Sequence, residues 1–357
     1  MTYIFILIIT ILCSWAGITF FRKLKILDRP GNDLKNSRFP VPTLQGLVVY
    51  VIILVIVGIF YPSFYTSPLI QGFLAGGSLI VLFETITELE YMGRIKLKVP
   101  PIARFFVHAI AACLALYISG ISNYEFIISS HTFILPDWLL YLLFACWSIF
   151  VINAVNRIDG INAQGNGILT IGFFTIFALI EWVVFPSYTQ FNNLDTLIIV
   201  KEMSLILAII SLVYTFLEWK PFALIRDVGT MLLAFALAYL SVLGGAKIGT
   251  IIVALSLVIF DAIWVGLYRI FIAKKSPMKG DYTHIHHRLL ALNWTRSEIR
   301  VFVWLFSLFM MMLILMQGTN RLHKIIIFAT IALLFFGVNA YLFLYKKLPY
   351  GLKQKKE

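Results

Sequence analysis

Long apolar runs, each close to the length of a bilayer crossing, alternate along this chain with short polar segments. A membrane-spanning helix needs about 20 predominantly apolar residues, because only a helix satisfies its own backbone hydrogen bonds within hydrocarbon. The pattern predicts eleven such helices, over 3–21, 45–61, 68–89, 102–119, 137–155, 167–185, 201–218, 229–244, 248–271, 299–316 and 325–345. The predicted fold is all-α: a polytopic integral membrane protein with a single transmembrane domain over 1–345 and a basic tail at 346–357.

Composition supports that reading. Hydrophobic residues make up 61% of the 357, charged residues only 13%, and mean hydropathy is +0.92. A globular domain carries about 45–50% apolar and about 25% charged residues, so a soluble domain, a disordered chain and a disulfide-stapled module are all excluded. The net charge of +12 is spread too thinly for a nucleic-acid face, and no nucleic-acid partner is expected. Its placement carries more information. No Lys or Arg precedes the first span, whereas Arg22, Lys23 and Lys25 follow it, the reverse of a cleavable signal peptide. With the N-terminus outside, 25 of the 29 Lys and Arg residues fall on the cytoplasmic side, which predicts a cytoplasmic C-terminus. Cys13, Cys113 and Cys146 lie inside apolar runs and read as packing residues.

The cytoplasmic segments also collect polar groups that topology does not require. Asn153, Asn156 and Asp159 are spaced to share one helix face, and the polar run continues through Asn162 to Gly167. A helix cap followed by a glycine turn is the plainer explanation, but the run is long for one. Asp227, in Arg226-Asp-Val-Gly-Thr230, suits either an N-cap or a divalent-cation ligand. His284, His286 and His287, beside Lys279 and Arg288, form a donor-rich cationic loop suited to phosphate oxygens. Zinc is the competing reading, weakened by the absence of nearby cysteines. Glu84 and Glu88 lie one turn apart at the end of the third span; Arg94, Lys96 and Lys98 are available as ordinary ion-pair partners for Glu88 and Glu90, while Glu84 lies deeper and is harder to explain that way. Asp261, inside the ninth span, is either functional or an interhelical hydrogen-bonding group.

In this order the motifs resemble the polyprenyl-phosphate N-acetylhexosamine-1-phosphate transferases, over roughly residues 27 to 296. The resemblance is carried by Asp28-Arg-Pro30 with Pro42-Thr-Leu-Gln-Gly-Leu47, by Asn153 to Gly167, by Arg226 to Thr230, and by Asp261 through Arg288. It implies a helical bundle with a cytoplasm-facing cleft that moves a sugar 1-phosphate, GlcNAc-1-phosphate in the first instance, from a UDP-sugar to undecaprenyl phosphate. UMP would be released and Mg²⁺ would be the cofactor. It further implies Asp227 and Asp159 at the metal, Asp227, Asp159 and Glu84 as catalytic residues, and Asn153, Asn156, Asn162, His284, His286, His287 and Arg288 as substrate contacts. Lys35 and Arg38 are expected to hold the lipid phosphate. Two departures stand out. Glu84-Thr85 replaces an Asp-Asp pair, and Asn162 replaces a second aspartate.

The expected partners are therefore a UDP-sugar, polyprenyl phosphate and membrane lipid, in a bacterial-type plasma membrane, and a homo-oligomer is allowed. Two other readings stay open. A non-catalytic relative could bind the same ligands without turnover, which the Thr85 position favours. A transporter would place charges at the bilayer midplane and show internal repeats, of which only Asp261 fits.

Overall fold

The structure is a computed structural model that describes residues 1–28, 40–122, 124–128, 131–187, 194–243, 248–274, 283–318 and 321–344. The apolar runs form helices α1 (Thr2–Lys23), α2 (Gln45–Phe60), α3 (Pro68–Tyr91) and α4 (Pro101–Ser119). They continue as α5 (Asp137–Ile158), α6 (Gln164–Leu179), α7 (Leu194–Trp219) and α8 (Arg226–Leu243). The last five are α9 (Ile248–Ala254), α10 (Ser256–Leu267), α11 (Ile285–Ala291), α12 (Arg296–Met316) and α13 (Arg321–Leu344). Local sequence explains several starts. Pro68 and Pro101 open α3 and α4, where a missing N–H costs nothing, and Thr295 with Glu298 makes a reciprocal capping box on α12.

Among the described residues nine helices are long and apolar enough to cross a membrane, or ten when the bent pair α9–α10 counts as one span. The chain is thus a helical polytopic membrane protein, as the hydrophobic pattern predicts. Two expected spans differ in form. The second is a helix of only 16 residues, closed by a short 3₁₀ turn at Pro62–Thr66. The ninth, expected as one helix over 248–271, bends by 81° between α9 and α10. Leu255 leaves helical geometry there, at φ −98° and ψ 18°, without a proline or glycine at the break. Two small antiparallel ladders interrupt the all-α plan, Leu27–Asp28 with Val41–Pro42 and Tyr124–Ile128 with His131–Leu135.

α8 is the most buried of the spans and packs against α2, α3, α5 and α6, so the middle of the bundle is built around it. α13 lies at the margin and presents most of its surface outward. The two ends of the bundle are chemically unlike. At the end where α1 begins, Tyr3 and Tyr61 both donate to Glu202, and Lys201 bridges Glu202 and Glu181. The opposite end, where α8 begins, gathers the motif residues.

Candidate active site

Three helices enter this end through residues in the left-handed region, a conformation uncommon outside glycine: Leu44 before α2, Ala163 before α6 and Arg226 at the start of α8 (φ 60°, 69° and 51°). Each costs about 1–3 kcal/mol and persists only where its surroundings enforce it. The enforcing contacts are visible. Arg226 pairs with Asp28 (3.1 Å) and Glu88 (3.0 Å) and lies over the Tyr91 ring. Glu218 accepts hydrogen bonds from the Ala163 and Ile225 backbone and from Asn166 Nδ2, tying the α6 and α8 entries together. Leu224 N–H donates to Pro42, and Gln45 N–H donates to Leu224. Gly46 and Gly229 close the contact: a Cβ on Gly46 would sit 2.2 Å from the Gly229 nitrogen, so only glycine admits this approach.

Asp227 lies in the first turn of α8, where the helix dipole favours an acid. Its Oδ1 accepts from Asn156 Nδ2 at 3.2 Å, and its Oδ2 lies 2.9 Å from Arg104 Nη2. The same Arg104 nitrogen is 2.9 Å from Glu84 Oε2. Glu84 is fully buried, and its other oxygen pairs with His108 Nε2 at 3.0 Å. Arg104 and His108 are one helical turn apart on α4, which is why both reach one carboxylate. Thr85, expected from the resemblance to replace a second acid, turns its hydroxyl back to the Val81 carbonyl at 2.7 Å. Glu88 pairs with Arg226 and Thr43, correcting the expectation of a local partner among Arg94, Lys96 and Lys98.

Asp159 sits one turn beyond Asn156, at the end of α5, and is buried. Its Oδ1 accepts from the Gly165 N–H at 3.0 Å and its Oδ2 from the Thr230 hydroxyl at 3.3 Å, so it joins the α6 entry to α8. Asn162 takes part through its backbone carbonyl, which accepts from Arg300. Asn153 donates to the Ile149 carbonyl. Together with Arg157, Phe105 and Cys146 it lines a groove of about 350 Å³ against Ala262 of α10.

His284 Nδ1 lies 2.7 Å from Asp261 Oδ2, and the Ile285 N–H donates to the other oxygen at 2.9 Å. Asp261 therefore orients His284 and caps the start of α11, the hydrogen-bonding role between elements that was one of the two expectations held for it. A carboxylate at Nδ1 fixes the ring tautomer and leaves Nε2 to act. The His286 ring stacks parallel to that of His284 and lies 3.9 Å from that of His287. His286 also reaches Gly160: a Cβ there would stand 2.3 Å from Nε2. Arg288 is buried beside a second, apolar cavity of about 650 Å³ between α10, α11, α12 and α13.

The structure thus links Glu84, Asp227 and Asn156 through Arg104, places Asp159 one turn from Asn156 and bonded to Thr230 of α8, and brings His286 against Gly160. Lys35 and Arg38, the segment 275–282 and the basic tail from 345 onward lie outside the described residues. Arg104, His108, Thr230, Glu218 and Arg226 join the site without having been singled out. Arg226 and Thr230 flank Asp227 in its own motif, a signal that was available. Arg104 and His108 lay in what reads as a lipid span, where an arginine and a histidine are themselves uncommon. Cys146, read as packing, is exposed in the groove.

Among the described residues no three His, Cys, Asp or Glu side chains form a ready-made metal cluster. Asp227 still suits Mg²⁺. Its carboxylate is a hard oxygen donor with 30% of the side chain exposed, and one or two carboxylates suffice where substrate phosphates complete the shell.

Comparison with known proteins gives a concordant result. Residues 70–245 match glycosyl transferase family 4. The chain is 25% identical over 321 residues to the probable undecaprenyl-phosphate N-acetylglucosaminyl 1-phosphate transferase of Bacillus subtilis (strain 168), covering 87% of this chain and 82% of that protein. It is 24% identical over 319 residues to the phospho-N-acetylmuramoyl-pentapeptide-transferase of Dictyoglomus turgidum (strain DSM 6724 / Z-1310), covering 88% of this chain and 94% of that protein.

Proposed function

The chain matches glycosyl transferase family 4 over residues 70–245 and is a membrane phospho-sugar transferase, and from that premise we propose that it moves a HexNAc-1-phosphate from a UDP-sugar to undecaprenyl phosphate. An oxygen of the lipid phosphate attacks the sugar-bearing phosphorus of the UDP-sugar. A new P–O–P linkage forms, the bond to the inner phosphate breaks, and UMP leaves. GlcNAc-1-phosphate is the first group to test, because the Bacillus subtilis relative is named for it.

The observation that carries this reading is the convergence of the Asn156–Asp227, Asp159–Thr230 and Gly160–His286 contacts at one end of the bundle. Phosphoryl transfer between two anions rests on positioning and charge neutralisation more than on covalent chemistry. The residues present suit that task. Asp227 would hold Mg²⁺, with Asp159 behind it fixing Gly165 and Thr230, and the ion when bound would neutralise the diphosphate oxygens. His286, His287 and Arg288 would take the diphosphate and sugar. The groove beside Phe105 and Cys146 would take the polyprenyl tail, with Asn153 and Arg157 at its polar margin. The lipid phosphate is ionised at neutral pH, so a strong general base is unnecessary.

This reading puts the site on the cytoplasmic face, with eleven crossings and the N-terminus outside. The positive-inside bias supports it. The test is transfer of labelled sugar from a panel of UDP-HexNAc donors into lipid-extractable product by the purified chain. Product that requires undecaprenyl phosphate supports the proposal; a folded chain that binds nucleotide but forms no product with any donor indicates the non-catalytic alternative.

A further inference from the structure

Arg104 is placed unlike an ordinary surface cation. Its Nη2 lies 2.9 Å from Glu84 Oε2, 2.9 Å from Asp227 Oδ2 and 3.2 Å from Thr87 Oγ1. That nitrogen carries two N–H bonds, so three acceptors compete for two protons and one contact is always shared. The two acids hold it from unequal positions. Glu84 is fully buried and further fixed by His108 and by the Thr87 hydroxyl at 2.9 Å. Asp227 is the partly exposed partner, 30% open against 0% for Glu84. A carboxylate sealed from water keeps its counter-ion, because an unpaired buried charge is costly. A carboxylate at an exposed edge can exchange its partner at far lower cost. Arg104 is therefore anchored on the Glu84 side and exchangeable on the Asp227 side.

The neighbouring residues show what could draw it away. Phe105, next along α4, lines the groove together with Asn153 and Arg157 of α5, while Asn156 of that same α5 turn bonds Asp227. A phosphate carried to the groove's polar margin arrives beside the exposed edge of Arg104. A guanidinium binds phosphate oxygens at least as readily as a carboxylate.

We propose that Arg104 is the resting counter-ion of Asp227, and that it yields this carboxylate to a divalent cation when a phosphate oxyanion takes up its guanidinium. Metal and phosphate then bind as a coupled pair. By linkage, each raises the affinity for the other by the same factor. Glu84 is a positioning residue in this scheme: it supplies the buried hinge about which Arg104 exchanges partners, while the adjacent Thr85 offers no carboxylate to a metal. The inference rests on the reading that Asp227 is the metal-holding carboxylate.

The experiment is Mn²⁺ binding to the full chain in nanodiscs, followed by the electron paramagnetic resonance signal of free Mn²⁺, which needs no turnover. Without any phosphate ligand, Arg104→Gln is expected to bind Mn²⁺ more tightly than the wild type, by about 5- to 150-fold if the coupling lies in the usual range. Adding Asp227→Asn to that variant should erase the gain. Arg104→Lys, which retains a cation without the planar fork, should shift affinity in the same direction by less, and it serves as the reading should the glutamine variant not fold. The rise in Mn²⁺ affinity on adding phosphate ligand should be larger in the wild type than in either variant. Undecaprenyl phosphate and UDP are tested as separate arms. An excess with either one supports the exchange and identifies whether lipid or nucleotide supplies the oxyanion. Equal rises in both arms, unchanged or weakened substrate-free binding in the folded variants, or a gain that survives Asp227→Asn would each overturn it. A chain that shows the exchange yet transfers no sugar phosphate keeps this inference and loses the reaction, so the two failures are distinguishable.

Discussion

Gly160 and His286 are in such close approach that a single methyl group on the glycine would stand 2.3 Å from the imidazole Nε2. This contact joins the loop after α5 to the first turn of α11, and it leaves no slack on the histidine side. His286 is buried, with the His284 and His287 rings packed near it. Gly160→Ala should therefore displace the ring while the bundle stays folded. A shift of about 1 Å at a reacting centre can cost on the order of 100-fold in rate. A loss of that size in kcat/KM for UMP release, at unchanged thermal stability, is the expected outcome. Wild-type kinetics in the variant would show that His286 lies outside the reaction.

Gly46→Ala tests a different property. The added methyl meets the backbone of Gly229 at 2.2 Å, and a main chain cannot move aside as a side-chain tip can. Overpacking of this kind costs about 1–3 kcal/mol, and here it pushes α2 away from the entry of α8. The expected result is a lowered Tm in detergent together with reduced activity, because Arg226 and Asp227 follow directly from that entry. An unchanged Tm would mean that the two helices separate without penalty.

Removing Asp261 should disorder the histidine loop. The carboxylate accepts from both His284 Nδ1 and the Ile285 N–H, and leaving a buried donor unsatisfied costs about 1–3 kcal/mol each. Asp261→Ala should lower kcat/KM for the UDP-sugar, and Asp261→Asn, which retains one acceptor oxygen, should restore part of it. Equal losses in the two variants would assign Asp261 a role that depends on its charge and not on its hydrogen bonds.

The groove offers its own probe. Cys146 is exposed and lines it, whereas Cys13 and Cys113 are partly buried elsewhere in the bundle. Alkylation of Cys146 by N-ethylmaleimide, read by mass spectrometry, should slow when undecaprenyl phosphate is added and should be indifferent to UDP. Labelling that continues at the same rate with saturating lipid would place the tail in another groove.

Much of this arrangement was legible in the residues themselves. The apolar runs located the helices, and the polar clusters at Asn153–Gly167, Arg226–Thr230 and His284–Arg288 marked the site, because lipid tolerates such groups only where they have work or partners. What escaped was set by contacts distant in sequence. Arg104 and His108 sit in an apolar helix whose pattern reports only that it spans, and their partner Glu84 becomes evident once α3 and α4 are packed together. Glu88 had three basic residues within easy reach, yet it is bound by Arg226, distant in sequence and brought beside it by the packing of α8 on α3. The bend at Leu255 carries no proline or glycine at the break, so nothing local announced it.

The most direct test of the account is UMP release by the purified chain, measured with a UDP-HexNAc, undecaprenyl phosphate and Mg²⁺ present together and with each omitted in turn. The account predicts release only when all three are present, and none from Asp227→Ala that is folded and inserted as the wild type is. Release that persists in Asp227→Ala, or that proceeds without the lipid phosphate or the metal, would contradict it.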